Sequence, residues 1–377
     1  MPLLKRRHNF KTDNGDKQMP YLLALTCLLT FSYASSADSN PNTTSKMVPL
    51  ADGHAPNLVM GDHTHSRGEW MLSYKYMRME MKGNKINSNN ISPETITTRI
   101  PNRFFSLPGQ PPTLRVVPTE MSMDMHMFGL MYAPSNQLTL MAMSNYQEKE
   151  MDHITFAGGA GTVQRGNFKT RTNGIGDLRL TGLVSLFKNS SSRGIIGLGF
   201  SLPTGSTSKK DAILAPTGAT PTVRLPYSMQ NGSGTIDFLP SLTYSGRSSK
   251  VGWGAQWSGQ LRTQKNNGWN LGDRHDLTGW ISYRWISKLS GSIRLKYESF
   301  EKLEGIDPNI LLPVQTADPD NYGGDKVKLL LGLNWIPGSS YKGVRLSLEG
   351  GVPLHQNLNG PQMKEDYTIS AGIQFAF

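Results

Sequence analysis

The sequence predicts an all-β fold, an antiparallel transmembrane β-barrel of about 12 strands of the outer-membrane type. Three observations predict it. Segment after segment alternates apolar and polar residues with period two, as strands with two unlike faces do. The connections alternate long and short, the pattern of long extracellular loops and short periplasmic turns. Beyond the N-terminus no run reaches the ~18 apolar residues of a membrane-crossing helix. A mean hydropathy of −0.40 fits such a barrel, because lipid-facing residues alternate with polar ones.

Residues 1–37 read as an export signal. Lys5, Arg6, Arg7, Lys11 and Lys17 form a basic start, 21–32 an apolar core, and Ala34, Ser35, Ser36 and Ala37 a small-residue cleavage site. The basic region is long, which leaves Met19 as an alternative start. Cleavage after Ala37 removes Cys27, the single cysteine, and with it any disulfide or thiol chemistry. It also removes five Lys/Arg and two Asp/Glu, lowering the formal charge from +11 to +8. For an exported chain that balance points to anionic head groups or a basic channel, and no nucleic acid is expected as partner.

Residues 38–67 are polar and aperiodic, and read as a flexible periplasmic extension that carries His54, Met60, Asp62, His63 and His65. The barrel is expected over 68–377. Its strands are expected at 68–81, 119–133, 137–147, 174–187, 194–203, 234–245, 250–262, 275–285, 288–299, 325–335, 342–352 and 367–377. Long connections are expected at 82–118, 148–173, 204–233, 263–274, 300–324 and 353–366, with short ones between the other strand pairs. Trp70, Tyr132, Tyr244, Trp285 and Trp335 gather near the short turns or the termini, as an interfacial girdle should. The last strand ends on Phe377, which makes the barrel-insertion machinery an expected partner alongside outer-membrane lipid.

Both sides of the 134–136 turn are rich in methionine. Pairing outward from the turn sets Met131 opposite Thr139 and Met127 opposite Met143. Met121, Met123, Met125, Met127, Met131, Met141 and Met143 then share one face, and Phe128, Leu130, Tyr132, Leu138 and Leu140 the other. In the first strand Trp70, Leu72, Tyr74 and Tyr76 look outward, turning Met71, Lys75, Met77, Met79 and Met81 inward. Arg78, Glu80, Asp124 and His126 then face outward near the outer interface, where they can pair. Further lumen-lining charges are Arg179, Arg294, Glu298 and Arg345, within a wider inward set that includes Asp177, Asp237, Arg262, Arg284, Lys296, Lys328 and Glu349. A salt-bridged network and a selectivity constriction are the two readings of that set.

Three short segments, GIGDL at 174–178, SLPTG at 201–205 and GSGTIDFLP at 232–240, resemble the outer-membrane transporter family labelled for the meta-pathway of phenol degradation. The resemblance spans roughly 68–377. It implies an outer-membrane β-barrel with a transport role and leaves the substrate open.

The expected function is therefore an outer-membrane channel or transporter for a small, hydrophobic solute. The methionines have two readings. Met is a flexible apolar residue that greases a path for hydrophobic solutes. Thioethers are also soft ligands that select Cu(I) or Ag(I), and Met-x-Met spacing brings sulfurs onto one strand face. That alternative makes Met123, Met125 and Met127 metal ligands, joined by His54, Met60, Asp62, His63 and His65, which suit Cu(II) or Zn(II). An enzyme is not expected. His275 lies beside Asp273 and Asp276, but no serine has a spacing that makes a triad arguable.

Overall fold

The computed structural model describes residues 50–338 and 343–377. The expected signal segment, 1–37, and residues 38–49 of the extension lie outside the described residues. The strands are β1 (Trp70–Asn87), β2 (Asn89–Ile91), β3 (Val116–Tyr132), β4 (Leu138–Phe156), β5 (Gln164–Ile175), β6 (Leu178–Lys188), β7 (Ser192–Leu202), β8 (Lys210–Ala212), β9 (Thr222–Arg224), β10 (Asp237–Ser248), β11 (Val251–Arg262), β12 (Arg274–Ile286), β13 (Leu289–Phe300), β14 (Gly324–Trp335) and β15 (Val344–Ala376). One short helix, α1 (Pro93–Arg99), interrupts the β1–β3 connection. No helix of the described residues is long and apolar enough to cross a membrane.

Eleven strand elements close an antiparallel ring in the order β15, β14, β13, β12, β11, β10, β7, β6, β4, β3, β1, with β15 pairing back onto β1. Trp70 and Phe377 exchange two backbone hydrogen bonds of 2.9 Å at that seam. Closure removes the unpaired edges an open sheet would present. The period-two pattern dictates the faces. Leu72, Phe128, Leu130, Leu140, Trp253, Trp257, Ile281, Leu331 and Ile369 are exposed, whereas Lys75, Thr139, Gln256, Thr278, Asn334 and Ser370 are buried. Apolar side chains outside and polar ones inside invert a soluble barrel and match a lipid-facing wall.

Three expectations about the wall need correction. The expected count of 12 strands is not what the ring contains, because 342–352 and 367–377 belong to one uninterrupted element, β15, which serves β14 through Leu358 and β1 from there on. β2 and β5 lie outside the ring, pairing only with β1 and β4. The strict alternation of connection lengths also fails. Residues 148–156 and 164–175 continue the β4–β5 hairpin, and 353–366 is strand throughout, since polar residues go on pairing once past the apolar zone. Finally, the β3–β4 register is two residues from the expected one. Met131 faces Met141, Gly129 faces Met143 and Met127 faces Asn145. A slip of two preserves every face, because side chains alternate with period two.

The remaining long connections fold into a cap. Phe104, Tyr227, Trp269, Leu303, Ile310 and Val314, from four separate stretches, form one buried cluster, with Trp269 fully buried. Arg115, also fully buried, donates to Gly161 O at 2.9 Å and Ala157 O at 2.7 Å, pinning the β4–β5 turn beneath α1.

The fourth correction concerns 50–67, which is a packed segment within the ring. Lys75 Nζ donates to Asn57 O, Arg193 to Gly53 O (3.0 Å), Gln256 to Met60 O (2.7 Å) and Arg345 to Ala55 O (2.6 Å). Leu58 N donates to Glu349 at 2.8 Å, and His65 N to Thr139 Oγ1 at 3.0 Å. Ala55 and Val59 pack on Trp280. Polar lumen side chains thus supply the partners that a short, aperiodic polar segment needs for its backbone. Contacts to β1, β4, β7, β11, β12 and β15 carry the segment across the bore.

Candidate functional site

The candidate site is the bore between the cap and this inner plug. At the cap end lies a cavity of about 590 Å³. It is lined by Pro111, Pro112, Val116, Phe168, Ile213, Ala215, Pro216, Val223, Leu225, Met229, Leu312 and Val314, with His153, Gln110 and Thr170 among its few polar groups. His153 stacks on Phe168, centroids 4.6 Å apart and planes at 7°. Ile213, Leu225 and Met229 also belong to a cluster with Met81, Met121, Met151 and Met363. The apolar cavity therefore runs directly into methionines.

Those methionines continue as cross-strand pairs. Met81 pairs with Met121, Met79 with Met123, Met77 with Met125 and Met71 with Met131. Met121 also faces Met151, and Met131 faces Met141. The row shares the face of Lys75, which pairs with Met127 and reaches the plug. From Met121 to Met131 the row covers ten residues, roughly 34 Å of strand. Met71, Met131 and Met141 end it, packed with Leu183 and Ile195. Leu183 in turn lies against Gly61 of the plug. Met143 stands beside Gly129.

The expected charged lining residues sit on the same side of the wall. Arg294 Nε donates to Glu349 Oε1 at 2.7 Å, both fully or almost fully buried. Glu298 accepts from Arg274 (2.9 Å), Lys296 (2.8 Å) and Lys328 (3.1 Å). Glu365 holds Lys328 at 2.6 Å and Lys326 at 3.3 Å. Arg345 also binds Asn334 (2.7 Å) and Gln374 (2.9 Å), and Arg179 reaches Gln260 at 3.4 Å. Asp237 pairs with Arg262, and Arg284 with Asp52 of the plug at 3.2 Å. Glu365 escaped the sequence reading because 353–366 was expected to be loop, whereas Lys326 lies in an expected strand and shares the inward side of Lys328. The signal was present: Met363, Glu365 and Thr368 are buried on one side while Asp366 and Tyr367 are exposed. On the outer face Arg78 pairs with Glu80 (2.5 Å) and Asp124 (3.0 Å), and Tyr74 with His126 (2.8 Å), as the outward assignment requires.

The expected metal ligands divide. His54, Asp62 and His63 come together, their donor atoms within 4.8 Å of one another. His63 Nδ1 lies 2.7 Å from Asp62 Oδ1, and His54 Nδ1 3.9 Å from Asp62 Oδ2. The His63 and His65 ring centroids are 4.9 Å apart. His54 Nδ1, His63 Nε2 and His65 Nε2 are buried without a hydrogen-bond partner among the described residues. Burial, with Arg345 and His63 nearby, holds His54 well below the usual imidazole range. Burial and His63 lower His65 to about 4, against the pull of Glu69. Burial would raise Asp62, but His63 beside it holds the carboxyl well below its ordinary value. The remaining expected ligands do not join this cluster. The Met60 thioether accepts from Lys75 Nζ at 3.2 Å. Met123 lies eight residues along β3 from Met131, which faces Met141 near the plug, so roughly 27 Å of strand separates Met123 from that level. Met125 and Met127 occupy intermediate levels of the same row. The cluster is also interior, where the sequence suggested an exposed one.

His275 stacks against Trp257, and no serine hydroxyl bonds a histidine ring among the described residues. The three motifs behind the family resemblance meet at one point. Asp177 accepts from Gly205 N (2.9 Å) and from the backbone and hydroxyl of Ser233 (2.8 Å each), and Thr204 bridges Gly176 and Leu178.

No family model matches the chain, and no curated protein matches it. Solved structures do resemble it. An outer-membrane channel from Pseudomonas putida F1 superposes with a TM-score of 0.55 at 12% identity, over 84% of this chain and 98% of that one. The toluene transporter TbuX of Ralstonia pickettii gives 0.42 at 11% identity, over 83% and 90%. The monoaromatic hydrocarbon channel TodX, as its deltaS2 mutant, gives 0.40 at 9%, over 84% and 91%. The first likeness establishes the fold, an outer-membrane-type barrel; the other two carry no argument.

Proposed function

We propose that the chain is an outer-membrane channel that admits a small, hydrophobic solute. The observation that carries this reading is the continuity of the apolar cavity with the methionine row, through Leu225, Met229 and Met121. A cavity of about 590 Å³ suits a small molecule, and its mostly apolar lining matches a ligand without charges. The thioethers below offer a flexible apolar track that rearranges round different shapes.

The cap end is extracellular in this reading and the plug end periplasmic, with residues 1–37 the export signal and the strand ending at Phe377 the contact for insertion machinery. Twelve membrane passes follow if β15 turns back at Gly360, whose φ of 57° favours glycine, and if β5 and β6 form one pass along β4. The likeness to the transporter family labelled for the meta-pathway of phenol degradation belongs to the same proposal. It rests on the motifs that converge on Asp177.

The test is entry into protein-loaded vesicles of a monocyclic aromatic hydrocarbon against a hydrophilic sugar of similar size. Faster entry of the hydrocarbon alone, slowed by Ala215→Trp in the cavity, supports the reading. Equal acceleration of both solutes, or of neither, overturns it.

The soft-metal alternative is favoured by one observation, the directly facing pairs Met77–Met125 and Met79–Met123. It predicts Cu(I) or Ag(I) binding that disappears when Met123, Met125 and Met127 become Leu.

A further inference from the structure

We propose that His54, Asp62 and His63, with His65 beside them, bind one divalent transition-metal ion, Zn(II) or Cu(II), and that this ion staples the plug in its place across the bore. The site stands independently of the channel reading, since it needs only the packed segment.

The donor set is complete within twelve residues of one strand-free stretch. Two histidines and a carboxylate already lie within 4.8 Å of one another. In a tetrahedral ion with bonds of ~2.1 Å the ligand atoms stand ~3.4 Å apart. The 3.9 Å between His54 Nδ1 and Asp62 Oδ2 therefore closes with a small side-chain rotation. Three buried imidazole nitrogens have no hydrogen-bond partner among the described residues, although unpaired buried polar atoms are costly. A metal ion held between His54, Asp62 and His63 would give His54 Nδ1 the partner it lacks.

The neighbouring charges are mixed. Arg193 lies 3.9 Å from Asp62, and Arg345 also stands near. Both spend N–H groups on plug carbonyls, Gly53 O and Ala55 O. Glu69, 3.5 Å from His65, offsets part of their charge. The ion would tie His54, at the start of the segment, to Asp62 and His63 near its end. That closes the segment into a loop whose contacts to Lys75, Gln256 and Glu349 lie between the ligands.

The experiment titrates the full-length protein, purified without a histidine tag, with Zn(II) against a chromophoric chelator. Amide exchange of residues 54–65 is followed with and without the ion. One Zn(II) per chain is expected, with slower exchange across 54–65. Affinity should fall at least about 100-fold in His63→Ala and in His54→Ala, because losing a ligand exceeds the 10–100-fold cost of losing an outer-shell partner. Retained heat-modifiable gel migration shows which variants still form the barrel, and either one suffices. The triple Met→Leu change at Met123, Met125 and Met127 should leave Zn(II) affinity unchanged. Absence of binding, binding indifferent to both histidines, or loss in the methionine variant overturns the site. Binding without slower exchange overturns the staple.

Discussion

Two arcs of the same wall solve the problem of an inward face in opposite ways. Along β1, β3 and β4 many inward positions are thioethers, which need no partners and present a pliable surface, with Lys75, Gln147 and Lys149 among them. Along β12 to β15 they are charges, and each needs its partner. Arg294 has Glu349, and Glu298 and Glu365 share Lys296, Lys326, Lys328 and Arg274. The plug leans heavily on the charged arc, through Arg345, Ser347, Glu349 and Ser370. A buried charge network holds position because breaking it is costly, whereas a methionine surface yields. In the proposed channel, the contrast sets a rigid arc of paired charges against a softer arc along which a solute would move.

The sharpest way to break this contrast is Glu349→Ala. It strands the Arg294 guanidinium in the interior and removes the acceptor of Leu58 N. Leaving one buried charge unpaired costs about 3–5 kcal/mol. Denaturant unfolding in detergent micelles should show that loss, with faster amide exchange at 55–60. Gly372→Val tests whether the charged arc seats the plug by shape as well. A Cβ there would lie 2.5 Å from Asn57 Oδ1, and overpacking costs about 1–3 kcal/mol. Protease nicking within 50–67 should rise while the barrel keeps its migration. On the soft side, Met125→Lys places a charge in the row, and hydrocarbon entry should fall by about 10-fold, equivalent to ~1.4 kcal/mol. An unchanged rate would remove the methionines from the path. The smallest effect is expected for Met77→Leu with Met125→Leu. Such volume-conserving swaps cost less than about 1.5 kcal/mol, and hydrocarbon entry should persist.

How far the sequence could be read follows from which interactions are local. Faces were legible because alternation is a property of consecutive residues; even the register error around 134–136 left Met121 to Met131 on their proper side. The ends of strands were not legible. Polar stretches such as 148–156 and 353–366 carry a weak strand signal, and their pairing depends on neighbours already in the sheet. The cap was invisible for a related reason: Trp269 and Tyr227 meet through connections that show no common period. The His cluster was found as a motif but misplaced. Its burial comes from Arg345, Gln256 and Thr139, which stand more than seventy residues away in the chain. The three resemblance motifs stand apart in the sequence, and only the fold shows Asp177 tying them together.

The plug is joined to β1 by a tether of four residues, 66–69, which turns at Gly68 with a φ of 86° and is bonded to the β3–β4 turn at Ala133 and Asn136. A body held on so short a string never dilutes. Its effective concentration at the mouth of the bore is on the order of millimolar, whatever the number of copies in the membrane. Contacts too weak to hold a free peptide therefore keep the bore occupied, and withdrawal would be brief. In the proposed channel, how readily the bore opens would then be a property of a single molecule, set by the plug's own bonds.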